Sequence, residues 1–538
     1  MRQDDPQYEA RRARYYAEGW WRHEDLWTAI SRHGRERPAQ LAFITGERQC
    51  RFDELLRDAE CFGRGLAACG VQPGEVVVVH GRNSIETVVA LLGSAWAGAV
   101  MAGVPPMFTA AQVASAAASA AARAVICLGD PRELAEAVQG ARAAASVTLV
   151  VAPDAVAAEG VEPWSAVLAA GDVWRGARAM VGADELALLA YSSGTTGAPK
   201  GVMHSANTVR YAIEQRAALQ EVTAADVCIV VGQFGFVGNV VFGLLAGALI
   251  GATSVLLRHW SAERALASMA RHGVTYGLFL PTHVHDLLDA PQLAGTDLRK
   301  FRHAAMGGLS AERRLEVRRR LCPGPLPGYG MSECMGHSTC SASDPEVKLL
   351  NRDGRPYPGT EIRIVDGQGA PLPPGQTGEV QVRGPSRCFG YYRAAELTRA
   401  AMTADGFFRT GDLGSLDADG YFSFAGREKE IIRRGGVTIV PGEVEAVLLE
   451  HPRVDRVAIV ALPDPRMGER ACACVITADG APVALGELTD FLAQRAVARY
   501  LWPERVELFT EFPFTPSLKV RKQGLVEQVL ARDGAARS

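Results

Sequence analysis

An excess of one charge is the first thing this chain lacks. Its 57 lysines and arginines stand against 60 aspartates and glutamates, a formal net charge of -3 over 538 residues. No global basic field therefore draws it to nucleic acid, and small molecules or proteins are the expected partners. It also lacks the C-x-x-C pairs of a zinc ribbon: its 11 cysteines are odd in number and scattered, and read as reduced thiols. The opening MRQDDPQYEARRARYYAEGWW holds acids and arginines where a secretory signal needs an apolar core, so the cytoplasm is the expected compartment. Heptads and repeats of 20 to 50 residues are missing too, which excludes coiled-coil and solenoid architectures. Val227 to Leu257 carries no charge, but Gln233, Asn239 and the glycines at 232, 235 and 238 interrupt it. It reads as a buried strand, a Gly-rich loop and a short helix, with no membrane span expected.

What is present is an ordinary globular balance, 48% apolar and 22% charged residues. At this length one core is not enough, and roughly two to four domains or subdomains are expected. The first 425 or so residues alternate helical and strand patterns. Phe52 to Ala68 and Ile85 to Ala97 read as helices, and Glu75 to Val79, Ala122 to Leu128 and Val147 to Ala152 as strands. Tyr276 to Leu280 then leads into a helix over His283 to Asp289. This is α/β packing, with a large N-terminal domain of two mostly parallel α/β subdomains. Short strands with Gly and Pro turns mark a β-rich part over about 355–425, clearest from Gly359. A small mobile α+β domain follows over 426–538, with a helix from Pro441 to His451 and strands at Val457 to Leu462 and Ala471 to Ile476.

The sharpest chemical signal is Tyr191-Ser-Ser-Gly-Thr-Thr-Gly-Ala-Pro-Lys-Gly201, which follows the apolar run Leu186 to Ala190. Glycines allow a tight turn whose N–H groups face a polyphosphate, hydroxyls add donors, and a lysine adds a point charge. The glycine spacing, and Gly201 directly after the lysine, separate this cradle from the Walker loop.

With that loop the chain resembles the acyl-adenylate-forming superfamily of acyl-CoA synthetases, aryl-acid ligases, adenylation domains and luciferases. Further blocks match in family order: Gly328-Tyr-Gly-Met-Ser-Glu333, Gly378-Glu379, Phe408-Arg-Thr-Gly-Asp412, Gly426-Arg-Glu-Lys-Glu430 and Thr515-Pro-Ser-Leu-Lys519. The resemblance spans essentially the whole chain. It implies that a carboxylic acid is activated with ATP and Mg²⁺ to acyl-AMP, then passed to a thiol. Such chemistry rests on positioning and on charge stabilisation around the phosphates.

The resemblance also implies roles, residue by residue. Ser192, Ser193, Gly194, Thr195, Thr196, Gly197 and Lys200 hold the phosphates of ATP. Gly328, Tyr329 and Gly330 take the adenine, with Tyr329 stacking on it, and Ser332, where the family usually has threonine, bonds the α-phosphate. Glu333 and Thr196 are the expected Mg²⁺ ligands. Asp412 and Arg427 hold the ribose, and Lys429 is the hinge of the C-terminal domain. Lys519 bridges the acid and the α-phosphate, completing a catalytic set of Lys519, Glu333, Ser332 and Lys200; Leu518 replaces the usual glycine before it. Dihydroxybenzoate ligases have a His-Asn pair where this chain has Gly235-Phe236, so ring-hydroxyl recognition is absent there. Phe234, Gly235, Phe236, Gly307 and Gly308 are expected to line a pocket for a bulky hydrophobic acid, cyclic or long-chain. The acceptor is coenzyme A, met by Arg433, Arg434, Gly435 and Gly436, or the phosphopantetheine of a carrier protein, or a separate ligase. A monomer or homodimer is expected. His283 and His285 form an H-x-H with no third partner nearby in sequence, which points to a pocket-wall or core histidine rather than a metal site.

Overall fold

The computed structural model describes residues 7–192, 200–434, 437–515 and 520–537. It divides into two compact units. One is Met1–Leu309 with Arg314–Ile362 and Val382–Phe408; the other is Ser310–Arg313 with Arg363–Gln381 and Arg409–Ser538.

The first unit is built on two sheets. A seven-stranded sheet runs in the order Glu162–Pro163, Leu149–Ala152, Ala124–Cys127, Val76–His80, Val100–Val104, Leu186–Ser192, Lys200–Ser205. All its pairings are parallel except the last. A nine-stranded sheet is parallel from Gly324–Met331 through His303–Met306, Tyr276–Leu278, Val227–Val230 and Thr253–Leu256 to Leu41–Thr45, and antiparallel at both ends. Parallel strands covered by helices on both faces must be apolar on both faces. Val76–His80 and Val100–Val104 are buried at every position. Helix Ile85–Trp96, capped by the Ser84 side chain on the Thr87 N–H, buries every residue but Glu86. Helix Phe52–Ala68 buries a stripe through Phe52, Leu55, Ala59, Phe62 and Leu66. Each fully buried Leu or Phe of this kind contributes about 1.5–3 kcal/mol.

The charge-free segment folds as strand Val227–Val230, a Gly-containing loop, helix Val237–Asn239, a π-helical turn Val240–Leu245, helix Ala246–Ile250 and strand Thr253–Leu256. Among the described residues no helix is long and apolar enough to cross a membrane. All 11 cysteines are free of disulfides.

The second unit carries most of a four-stranded sheet, Glu361–Val365, Gly378–Arg383, Phe408–Leu416 and Phe422–Arg427. It also carries a five-stranded sheet in which Val454–Asp464 and Gly468–Thr477 form a long hairpin, with Arg505–Leu508 added in parallel. Helices Pro441–Leu448 and Leu485–Gln494 bury Val444, Leu448, Leu488 and Leu492 against it.

Candidate active site

The phosphate cradle begins and ends in a β-ladder. Strands Leu186–Ser192 and Lys200–Ser205 pair antiparallel, with Tyr191 opposite Gly201 and Ser192 opposite Lys200. Tyr191 is buried and its hydroxyl donates to the Ala116 carbonyl at 2.8 Å, fixing the end of the first strand. Residues 193–199, and with them Ser193, Gly194, Thr195, Thr196 and Gly197, lie outside the described residues, as does the Ser192 side chain.

Glu333 sits at the tip of a hairpin. Strand Gly324–Met331 turns at Ser332 and Glu333 into Cys334–Thr339, with Met331 opposite Cys334 and Tyr329 opposite Ser338. The glycines on either side of Tyr329 have a steric reason: a Cβ on Gly328 would stand 2.9 Å from the Ser338 carbonyl oxygen, and one on Gly330 2.9 Å from the Gly336 nitrogen. Tyr329 is half-buried, with its ring edge-on to His337 at 4.7 Å.

Two residues that sequence reasoning missed hold this hairpin in place. His204 is fully buried, and burial pushes its imidazole down to about 4, so the ring is neutral. Its Nε2 donates to the Ser332 carbonyl at 2.7 Å, and Nδ1 lies 3.3 Å from Thr208 Oγ1. Tyr391 lies on a segment that runs along strand Lys200–Ser205: Met203 N–H bonds the Gly390 carbonyl and Tyr392 N–H the Gly201 carbonyl. From there its hydroxyl donates to Glu333 Oε1 at 2.9 Å, while Lys200 Nζ lies 5.5 Å from its ring centroid. Burial, and then the Glu333 carboxylate, raise this phenol well above its usual range, so it stays a donor. Lys200, near the ring, and Glu333, at the hydroxyl, thus both meet one tyrosine. The sequence signal was a Tyr-Tyr pair after Gly390, indistinguishable from core aromatics without its partner.

In the second unit, Asp412 and Arg427 face each other on adjacent strands, and Arg427 Nε lies 3.3 Å from Asp412 Oδ1. Asp412 is 2% exposed; its N–H bonds Thr410 Oγ1, which in turn donates to the Val380 carbonyl. Lys429 occupies a short 3₁₀ turn, Glu428–Glu430. Arg433 is exposed, and Arg434 pairs with Glu504 at 2.6 Å. Gly435, Gly436 and Lys519 lie outside the described residues. Lys522, the near neighbour of Lys519 in sequence, is held 2.7 Å from Glu445 and 3.4 Å from Glu430. His283 is a buried cap: its Nδ1 accepts the Leu280 N–H, its ring packs on Trp260 at 4.3 Å, and burial lowers it to about 4.

The glycines and phenylalanines expected to line an acyl pocket differ in what surrounds them. Gly235 has φ +91°, and a Cβ there would lie 2.4 Å from the Pro105 nitrogen, so this glycine serves the backbone rather than opening space. Phe234 is 1% exposed and belongs to the main core. Gly307 abuts the Gly328 carbonyl, and Gly232 the Asn239 side chain. Gly308, at φ +70°, meets nothing nearer than Pro281 at 3.5 Å, and Gly238 has nothing within 4 Å. Phe236, half-buried, caps helix Val237–Asn239.

Comparison with known proteins identifies the family. The family model of the AMP-binding enzymes matches residues 30–392, and that of the AMP-binding enzyme C-terminal domain matches residues 443–519. The chain is 35% identical over 352 residues to a medium-chain fatty-acid–CoA ligase of Escherichia coli, covering 65% of this chain and 62% of that one. It is 33% identical to the salicyl-AMP ligase / salicyl-S-ArCP synthetase of Mycobacterium tuberculosis, covering 96% of this chain and 93% of that one. Among solved structures, ATP-bound MatB from Rhodopseudomonas palustris superposes with a TM-score of 0.84 at 26% identity, covering 93% of this chain and 98% of that one.

Proposed function

The chain belongs to the AMP-binding enzymes and is an AMP-forming acid–thiol ligase, and on that footing we propose that it activates a carboxylic acid with a bulky apolar body and delivers the acyl group to coenzyme A. An oxygen of the acid attacks the α-phosphorus of ATP, the bond to the pyrophosphate oxygen breaks, and acyl-AMP forms. The thiolate of coenzyme A then attacks the acyl carbon and AMP departs. The observation that carries this reading is the Lys200–Tyr391–Glu333 cluster, an oriented carboxylate and a cation on the strand that follows, in sequence, the segment of hydroxyls and glycines.

In this proposal Ser192 to Lys200 hold the phosphates, Tyr329 meets adenine, Ser332 the α-phosphate, and Asp412 with Arg427 the ribose. Lys519 bridges acid and phosphate, and Lys429 is the hinge. A magnesium ion suits Glu333: it takes one or two carboxylates together with phosphate oxygens, and Glu333 presents one carboxylate steadied by the Tyr391 hydroxyl. Bound there, with Thr196, it would neutralise phosphate charge.

A second reading, loading of a carrier-protein phosphopantetheine, is favoured by the end-to-end similarity to the salicyl-S-ArCP synthetase. Acid-dependent exchange of labelled pyrophosphate into ATP tests the first half-reaction, and its absence across an acid panel overturns the proposal. A coenzyme A thioester assay separates the two acceptors.

A further inference from the structure

Behind the hairpin that carries Tyr329 and Glu333 lies a group of polar side chains for which the adenylation chemistry has no use. Arg216, on helix Ala206–Leu219, is partly buried, with its guanidinium 4.6 Å over the Phe242 ring. Its Nε donates to Gln220 Oε1 at 3.2 Å, and the same oxygen accepts the Tyr276 hydroxyl at 2.6 Å. Gln220 Nε2 in turn donates to Thr339 Oγ1 at 2.7 Å. Among the described residues no carboxylate pairs with Arg216. The other inward-facing arginines of this unit behave differently: Arg210 pairs with Glu214 at 2.7 Å and Arg314 with Asp353 at 2.6 Å. A cation withdrawn from water without a counter-charge is costly, and persists where something else supplies the acceptor.

A second donor points the same way. Tyr357 is 1% exposed, and its hydroxyl has no hydrogen-bond partner. It lies within electrostatic reach of Arg216 and Tyr276, and burial pushes it up to about 12, so it holds its proton. The hydroxyl stands 2.6 Å from where a Gly336 Cβ would be, next to His337, whose ring meets Tyr329. The Tyr357 hydroxyl therefore lies beside the residue that precedes His337, the ring that meets Tyr329. The facing wall is apolar: Ile213, Ala217, Phe242, Gly243 and Ala246 line a narrow cleft with Arg216 and Tyr276. Gly238, with nothing within 4 Å of where its Cβ would stand, lies four residues before Phe242, whose ring Arg216 covers.

We propose that Arg216, with the Tyr357 hydroxyl, receives a second oxygen group of the acid, a carboxylate or similar acceptor at the end opposite the carboxyl that is activated. The substrate class narrows to acids with an apolar middle and an oxygen at each end. This rests on the acid-activating reading above.

The test is pyrophosphate exchange with matched pairs: straight-chain monoacids against α,ω-diacids of equal length, and 4-methyl against 4-carboxy aryl acids. For at least one pair the doubly oxygenated acid should show a kcat/KM at least tenfold higher. Arg216→Met should shrink that ratio at least tenfold, and Tyr357→Phe about threefold. A purely structural role would lower both members of a pair together and leave the ratio unmoved. An unmoved ratio, or preference for the methyl-ended acid in every pair, overturns the inference while leaving acid activation standing. Failure of every acid to support exchange overturns acid activation itself. Should Arg216→Met fail to fold by thermal melt, Tyr357→Phe and Arg216→Lys carry the same ratio test, because neither deletes side-chain bulk from the core.

Discussion

Replacing Tyr391 with phenylalanine isolates one hydrogen bond at the heart of the candidate site. The ring that Lys200 approaches at 5.5 Å stays, so packing and the cation–ring contact survive, while the hydroxyl that donates to Glu333 Oε1 at 2.9 Å is lost. Glu333 is 7% exposed, and water cannot readily take the place of the missing donor. A hydrogen bond to a charged group is worth about 1.5–3 kcal/mol, and each 1.4 kcal/mol is a factor of ten. If the carboxylate must be correctly aimed for the nucleotide and its metal, kcat/KM for Mg·ATP in acid-dependent exchange should fall about ten- to a hundredfold. The half-saturating Mg²⁺ concentration should rise with it. Tyr391→Ala removes the ring as well and should be worse than Tyr391→Phe, because Lys200 then loses its wall. Wild-type kinetics and Mg²⁺ dependence in a well-folded Tyr391→Phe protein would refute the claim that this tyrosine orders the site.

The remaining expectations concern Lys519, the glycines and pH. Lys519→Ala should slow adenylation by about a hundredfold or more, the usual cost of losing one preorganised charge-stabilising group, while thiol transfer from supplied acyl-adenylate suffers much less; equal losses in the two half-reactions would remove the role assigned. Gly235→Ala should destabilise the fold by about 2–3 kcal/mol or more, from left-handed strain plus the approach to Pro105, whereas Gly238→Ala should leave the urea midpoint within about 0.5 kcal/mol of wild type. Equal midpoints for the two variants would contradict the distinction. His204, His283 and His337 titrate near 6.5 when unfolded but are lowered by burial to about 4, 4 and 3 in the fold. Between those values the unfolded chain binds protons that the native chain refuses, so stability falls as pH drops from about 6.5 towards 4, by up to about 1.4 kcal/mol per pH unit for each histidine. Urea midpoints that stay level from pH 7 to 4.5 would speak against neutral, buried rings, and His337→Phe should flatten its share of the slope.

Much of the fold was legible because its signals are local. Helix Phe52–Ala68 follows from an apolar stripe of helical period and matches the expected bounds, and the strand–loop–helix reading of the charge-free segment held, with a second strand and a π-helical turn added. That turn has no signature of its own, since Val240–Leu245 is apolar all round and an extra residue per turn changes no pattern a helix would show. The long hairpin Val454–Asp464 with Gly468–Thr477 outruns its predicted strands at both ends because cross-strand partners, invisible in one strand's sequence, extend the ladder.

The site was legible where residues are contiguous and illegible where they meet across the chain. The cradle's ladder could be anticipated from one apolar run, a loop and a lysine. The Tyr391–Glu333 bond spans 58 residues and the His204–Ser332 bond 128, and neither partner marks the other in sequence. Glycine shows the deeper limit. In sequence Gly235 and Gly238 each simply lack a side chain, yet the first permits a backbone conformation and a close approach to Pro105, and only the second leaves room. Substrate size must therefore be argued from Gly238, over which nothing stands within 4 Å, and Gly308, which meets nothing nearer than Pro281 at 3.5 Å. On the proposal that Arg216 receives a second oxygen of the acid, discrimination would come from the group left unsatisfied, because rejecting an acid that lacks the matching oxygen costs more than admitting one methylene too many or too few.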